Sequence, residues 1–215
     1  MEIRTRSGNI YSYNKQTGEI LGGSISAQLP KWDFAPFVPF ESMPQVDSFI
    51  LGLTEQCNLR CTYCCYSGNY VNKRSHNTVS MGTDDVDDIL LFIDSFTSNR
   101  PIKIFLYGGE PLLNYNIVQY AIEKSRKQWD NDVSFTISTN GTTLTKERID
   151  WLVANNVVLA LSIDGTKPFH DSYRVDAQGN GSYTRVYDAL KYIKTTYPEY
   201  AKEMSLIMTL ASFDK

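Results

Sequence analysis

Residues 133–165 read VSFTISTNGTTLTKERIDWLVANNVVLALSIDG. Two apolar runs rich in β-branched residues, 133–138 and 157–163, end in turn residues, Thr139-Asn140-Gly141 and Asp164-Gly165. Between them Ile149, Leu152 and Val153 recur at helical spacing, from a start near Thr145 to a stop at Asn155-Asn156. Strand, helix and strand in so short a span make one βαβ unit, and that unit calls for a parallel sheet covered by helices.

The same alternation extends to both sides. Residues 49–54 read as a first strand. A helix follows from Thr83, with Asp84 and Asp85 in its first turn and Val86, Ile89, Leu90 and Ile93 as its buried stripe. Residues 102–107 form a second strand ending at Gly108-Gly109-Glu110-Pro111, and a second helix spans 115–129. A fourth helix starts near Ser182, buries Val186, Ala189, Leu190 and Ile193 and stops before Pro198; residues 204–210 form a fifth strand. No helix follows that strand, so the expectation is an α/β core, residues 46–215, incomplete at its C-terminus and belonging to a longer protein. Residues 1–45 read as a separate unit: a β-hairpin over 10–21 turning at Gly18, then a linker punctuated by Pro30, Pro36, Pro39 and Pro44 that straps the main domain.

The chain has 215 residues, 42% hydrophobic and 21% charged, with a formal net charge of −3. That length buries a full core, and the near balance of charge gives no surface for duplex nucleic acid or a polybasic membrane patch. Its longest apolar stretches, 89–93 and 157–161, are far short of the ~20 residues that span a bilayer. Met1 to Asn9 leads into no apolar segment, so no secretory signal is expected and the location expected is cytoplasmic.

All four cysteines fall in TEQCNLRCTYCCYSG: Cys57, Cys61, Cys64 and Cys65. A disulfide framework would spread them out; crowding them into one loop points to shared ligation or redox chemistry. A redox pair at Cys61-x-x-Cys64 and a zinc site are both conceivable, although zinc ordinarily draws on a second pair, and His76 and His170 lie far off in sequence. The spacing C-x3-C-x2-C offers three thiolates from Cys57, Cys61 and Cys64, enough to hold three irons of a [4Fe–4S] cube and leave one open. Clusters are normally held by four cysteines, so a three-cysteine site suggests an open position with a chemical task. Cys65 reads as a non-ligand, because adjacent cysteines rarely aim at one cube.

Cys57-x3-Cys61-x2-Cys64 after strand one and Gly108-Gly109-Glu110-Pro111 after strand two resemble the radical S-adenosylmethionine (SAM) superfamily. Ser138-Thr139-Asn140-Gly141, Ser162 to Gly165 and His170 to Arg174 continue the resemblance in order, over about residues 48–210. The last motifs are similar to the peptide-modifying branch, the anaerobic sulfatase maturases and SPASM-type peptide maturases. The resemblance implies a partial (β/α) barrel with outer helices, a [4Fe–4S] cluster on Cys57, Cys61 and Cys64, and SAM on the open iron. It implies reductive cleavage of SAM to a 5′-deoxyadenosyl radical that takes hydrogen from a peptide or protein side chain, with an electron donor such as flavodoxin or ferredoxin. It gives Gly108 and Gly109 the close approach to the methionine part of SAM. Glu110 receives the ammonium, Pro111 stiffens the turn, Ser162 meets the ribose hydroxyls and Arg174 the carboxylate. Ser138 and Asn140 line the same cavity, with Tyr63 beside cluster or adenine.

Taken singly, each motif has a plainer reading. Gly-Gly-Glu-Pro, Asn140-Gly141 and Asp164-Gly165 are good turns, Arg174 a surface arginine, His170 a structural residue, and the aspartates 84–88 a solvated helix start. Two rivals stand beside the peptide-modifying enzyme. One is a non-catalytic metal- or peptide-binding module on a degenerate scaffold, and the other a radical SAM enzyme for a small metabolite. Residues 1–45 are also placed to hold a leader peptide as an added strand.

Overall fold

The computed structural model describes residues 2–4, 10–13, 20–22, 46–66, 75–96, 101–129 and 132–210. The chain divides into two compact units, Met1–Ser42 and Met43–Lys215. In the first, β1 (Glu2–Arg4), β2 (Ile10–Tyr13) and β3 (Ile20–Gly22) form an antiparallel sheet in that order, with Tyr11 opposite both Ile3 and Gly22. The expected hairpin is therefore its β2–β3 half. The added strand is only three residues long, too short to show a period of two. The Gly18 turn and the proline linker lie outside the described residues.

The second unit is a parallel sheet of β4 (Ser48–Gly52), β5 (Ile102–Tyr107), β6 (Val133–Thr139), β7 (Val157–Ser162) and β8 (Ser205–Ile207), in chain order. Register follows the hydrophobic pattern: Leu51 pairs with Leu106, Ile104 with Phe135 and Ile137 with Leu159. Ile102, Ile104 and Leu106 are buried, whereas Lys103, Phe105 and Tyr107 between them are exposed. The buried set joins Val86, Leu90 and Ile93 of α1 (Thr83–Phe96), Val118 and Ile122 of α2 (Tyr115–Trp129), Ile149 and Leu152 of α3 (Lys146–Ala154), and Val186 and Ile193 of α5 (Tyr183–Thr196). One face thus carries these helices, while Ile50 stays 74% exposed on the other. This agrees with the expected parallel strands with outer helices.

Several ends follow their expected signals. The Thr145 hydroxyl accepts the Arg148 N–H at 3.3 Å and caps α3, and Asn156 at φ +46° ends it. Three short helices were not read from sequence: a 3-10 turn at Pro111–Asn114, α4 at Lys167–Tyr173 and α6 at Pro198–Glu203. None is long enough to establish a helical period. Pro198, which stops α5, also supplies the first residue of α6, where its missing N–H is harmless. The edge strands are shorter than expected, β4 by its last two residues and β8 at both ends.

Candidate functional site

The loop carrying the cysteines leaves β4 and is pinned at once by the exit of β5. Gly109 N–H donates to Thr54 O and Glu110 N–H to Gln56 O, both at 2.7 Å. The backbones touch so closely that a Cβ on Gly108 would lie 2.3 Å from Thr54 O, and one on Gly109 2.2 Å from Gln56 O; Gly108 also sits at φ +151°. This packing of backbone on backbone also places Gln56, the residue immediately before Cys57.

A second clamp comes from the segment after α4. Leu59 bridges Asp176 in antiparallel fashion, Arg60 N–H donates to Val175 O at 2.6 Å, and Thr62 N–H donates to Tyr173 O at 3.0 Å. Within the loop, N–H groups are aimed at sulfur: Leu59 N–H at Cys57 Sγ and Tyr66 N–H at Cys64 Sγ, each at 3.4 Å. The Asn140 amide nitrogen stands 3.8 Å from Cys57 Sγ. Cys61 is buried, Cys57 and Cys64 half-buried and Cys65 exposed. Burial raises the Cys61 thiol to about 11 and pushes Cys57 and Cys64 upward. Loading such a site must expel protons.

These loops open onto a cavity of about 400 Å³ at the C-terminal ends of the strands. Its wall brings together ten of the twelve residues singled out from sequence. They are Cys57, Cys61, Tyr63 and Cys64 from the first loop, Gly108 and Gly109 after β5, Ser138 and Asn140 around the end of β6, Ser162 at the end of β7, and Arg174 after α4. Glu110 and Pro111 are not among them. The Glu110 side chain is wholly buried and accepts Leu112 N–H at 3.1 Å and the Thr139 hydroxyl at 2.6 Å on one oxygen, and Asn140 N–H at 2.7 Å on the other. Burial pushes its carboxyl upward against these three donors. Glu110 therefore ties the β5 exit to the β6 exit.

Arg174 is 7% exposed, and its Nε donates to Asp164 Oδ2 at 2.7 Å. Burial opposes the charge, but the Asp164 contact outweighs it and holds the guanidinium protonated. Asp164 also receives the Tyr63 hydroxyl at 2.5 Å and Thr209 N–H at 2.9 Å; burial would raise its carboxyl, but Arg174 and Tyr63 hold it low. Tyr63 lies under Arg174, with 5.5 Å from guanidinium carbon to ring centre. Asp164, which in sequence reads as half of a turn, is the residue that holds Arg174 and Tyr63 in place. His76, which lies far from the cysteines in sequence, also reaches the cavity wall. His170 is fully buried between Asp164 N–H (3.1 Å) and Ser182 Oγ (2.9 Å), a structural placement as expected.

Three neighbouring thiols, N–H groups aimed at two of their sulfurs, and a charged guanidinium across the same cavity fit a sulfur-ligated iron cluster with an anionic partner. Among the described residues, no three His, Cys, Asp or Glu side chains group as a single ion would need.

The radical SAM superfamily matches residues 51–210. A cysteine-type anaerobic sulfatase-maturating enzyme of Clostridium novyi (strain NT) is 28% identical over 161 residues, 74% of this chain and 43% of that protein. A serine-type anaerobic sulfatase-maturating enzyme of Bacteroides thetaiotaomicron is 31% identical over 143 residues, 64% of this chain and 34% of that protein. The solved structure of native anSMEcpe with bound AdoMet (SAM) and Cp18Cys peptide shares the fold, with a TM-score of 0.62 at 24% identity over 75% of this chain and 42% of that one. The chain spans less than half the length of these relatives. The family's cofactors are a [4Fe–4S] cluster and SAM, the groups the cavity suits. A match running from β4 to the last described residue leaves no doubt of kinship: this chain belongs to the radical SAM superfamily.

Proposed function

We propose that the protein of which this chain is part uses SAM to modify a peptide or protein side chain by radical chemistry. The observation that carries the proposal is the single cavity in which Cys57, Cys61 and Cys64 face Arg174 at the strand ends. Cys57, Cys61 and Cys64 would hold a [4Fe–4S] cluster, which together with SAM would supply the 5′-deoxyadenosyl radical chemistry that removes a substrate hydrogen. Arg174 receives the SAM carboxylate on its terminal nitrogens, its Nε being committed to Asp164. Gly108, Gly109, Ser138, Asn140 and Ser162 line the rest of the pocket, and Tyr63 closes it beneath Arg174. A peptide substrate is favoured by the sulfatase-maturating relatives and by the peptide held in the anSMEcpe structure. An electron donor of the flavodoxin or ferredoxin kind completes the scheme. No helix among the described residues is long and apolar enough to cross a membrane.

The test is electron paramagnetic resonance on anaerobically reconstituted, dithionite-reduced protein. A [4Fe–4S] signal that shifts on adding SAM, disappears in Cys61→Ala and survives in Cys65→Ala supports the assignment. Transfer of deuterium from a side-chain-deuterated peptide into 5′-deoxyadenosine supports the substrate class. Zinc in place of iron, or a cluster indifferent to SAM, would favour the degenerate binding module.

A further inference from the structure

Arg174 is held from three directions. Its neighbours Tyr173 and Val175 accept N–H groups of the cysteine loop, so the segment is in register with the cluster ligands. Its Nε meets the Asp164 carboxylate at 2.7 Å. Its own carbonyl accepts the Ser182 hydroxyl, also at 2.7 Å. Ser182 Oγ in turn lies 2.9 Å from His170 Nε2, and His170 Nδ1 lies 3.1 Å from the backbone N–H of Asp164.

The protons in this circuit have one consistent arrangement. A backbone N–H only donates, so His170 Nδ1 is bare and the hydrogen sits on Nε2. Nε2–H donates to Ser182 Oγ, leaving that hydroxyl's hydrogen for the Arg174 carbonyl. The ring Asp164–His170–Ser182–Arg174 closes through side chain and backbone, and all four residues are buried, the most exposed being Arg174 at 7%. Ser182 occupies the N-cap position of α5, yet its side chain makes no cap hydrogen bond. The hydroxyl is turned away from the helix that would ordinarily use it and toward Arg174. Gly181 beside it permits the approach, since a Cβ there would fall 2.2 Å from the Asp171 carboxyl carbon.

We infer that His170 and Ser182 are positioning residues, fixing Arg174 so that its free guanidinium nitrogens face the cavity in register with the cysteine loop. This deepens the proposed function and rests on Arg174 receiving the SAM carboxylate. Neither residue touches the ligand; both act through Arg174.

A double-mutant cycle tests this, with SAM binding measured by calorimetry on anaerobically reconstituted protein and normalised to iron content. Ser182→Ala is expected to weaken binding roughly tenfold in the parent and to add nothing in the Arg174→Ala background. Ser182→Thr, which keeps the hydroxyl, restores affinity. Should Ser182→Ala fail to fold, Ser182→Cys replaces it in the same cycle, with the same expectation at smaller amplitude. Parent-like affinity in these variants, or losses that multiply with Arg174→Ala, would overturn the inference while leaving the proposed function standing. Absence of SAM binding by the parent protein would overturn both.

Discussion

The Glu110 carboxylate joins two loops of the fold. Its two oxygens satisfy three buried donors from two loops. In Glu110→Gln the new NH2 must face either the Asn140 N–H or the pair from Leu112 and Thr139. The variant should lose about 1–3 kcal/mol of stability, read as a shifted denaturation midpoint. Gly109→Ala should lose about 2 kcal/mol or more by overpacking, because its new methyl meets the Gln56 carbonyl, which is backbone and cannot swing aside. His170 has a pH signature. Burial first, and then Arg174, hold its imidazole below the ordinary histidine range. An unfolded chain takes up this proton near pH ~6.5 and the folded chain only lower, so the unfolded state binds more protons in between. Stability contributed by the neutral ring is therefore present above ~6.5 and lost as pH falls through the folded value. Melting of the parent should decline on acidification more steeply than that of His170→Gln, and parallel curves would refute the placement.

At the scale of elements, the cysteine loop has little regular structure of its own and borrows its shape from two neighbours, the β5 exit and residues 173–176. A change that spares every thiol but breaks the second clamp should still empty the site. Thr62→Pro removes the N–H donated to Tyr173 O and is expected to lose most of the iron retained by the parent after reconstitution; unchanged iron and sulfide would show the clamp to be dispensable. Much at this scale was legible beforehand. Strands β5 to β7 and helices α1, α2, α3 and α5 announce themselves by apolar period and caps, and the special residues follow strand ends. What stayed hidden depends on long-range partners: the short helix α4, the inward turn of Glu110, and Asp164, whose three partners come from Tyr63, Arg174 and Thr209.

At the scale of the whole molecule, a parallel strand ordinarily has neighbours on both sides. β4 and β8 are the two edges of the described sheet, and they are treated differently. Residues 79–81 run back along the end of β4, with Glu55 N–H on Val79 O and Met81 N–H on Leu53 O, which blunts that edge. Among the described residues β8 pairs with β7 alone. Leu206, Met208 and Leu210 at and beyond it are 56%, 54% and 55% exposed among the described residues. A groove of Leu190, Pro198, Ala201 and Met204 continues the apolar surface beside them. Open strand edges with apolar side chains recruit further strands. The 215-residue chain, prepared alone, should therefore self-associate as its concentration rises. Sedimentation velocity should show the weight-average coefficient climbing with loading, and Leu206→Lys with Met208→Glu should return it to the monomer value. A parent chain that stays monomeric across the same range would refute this prediction.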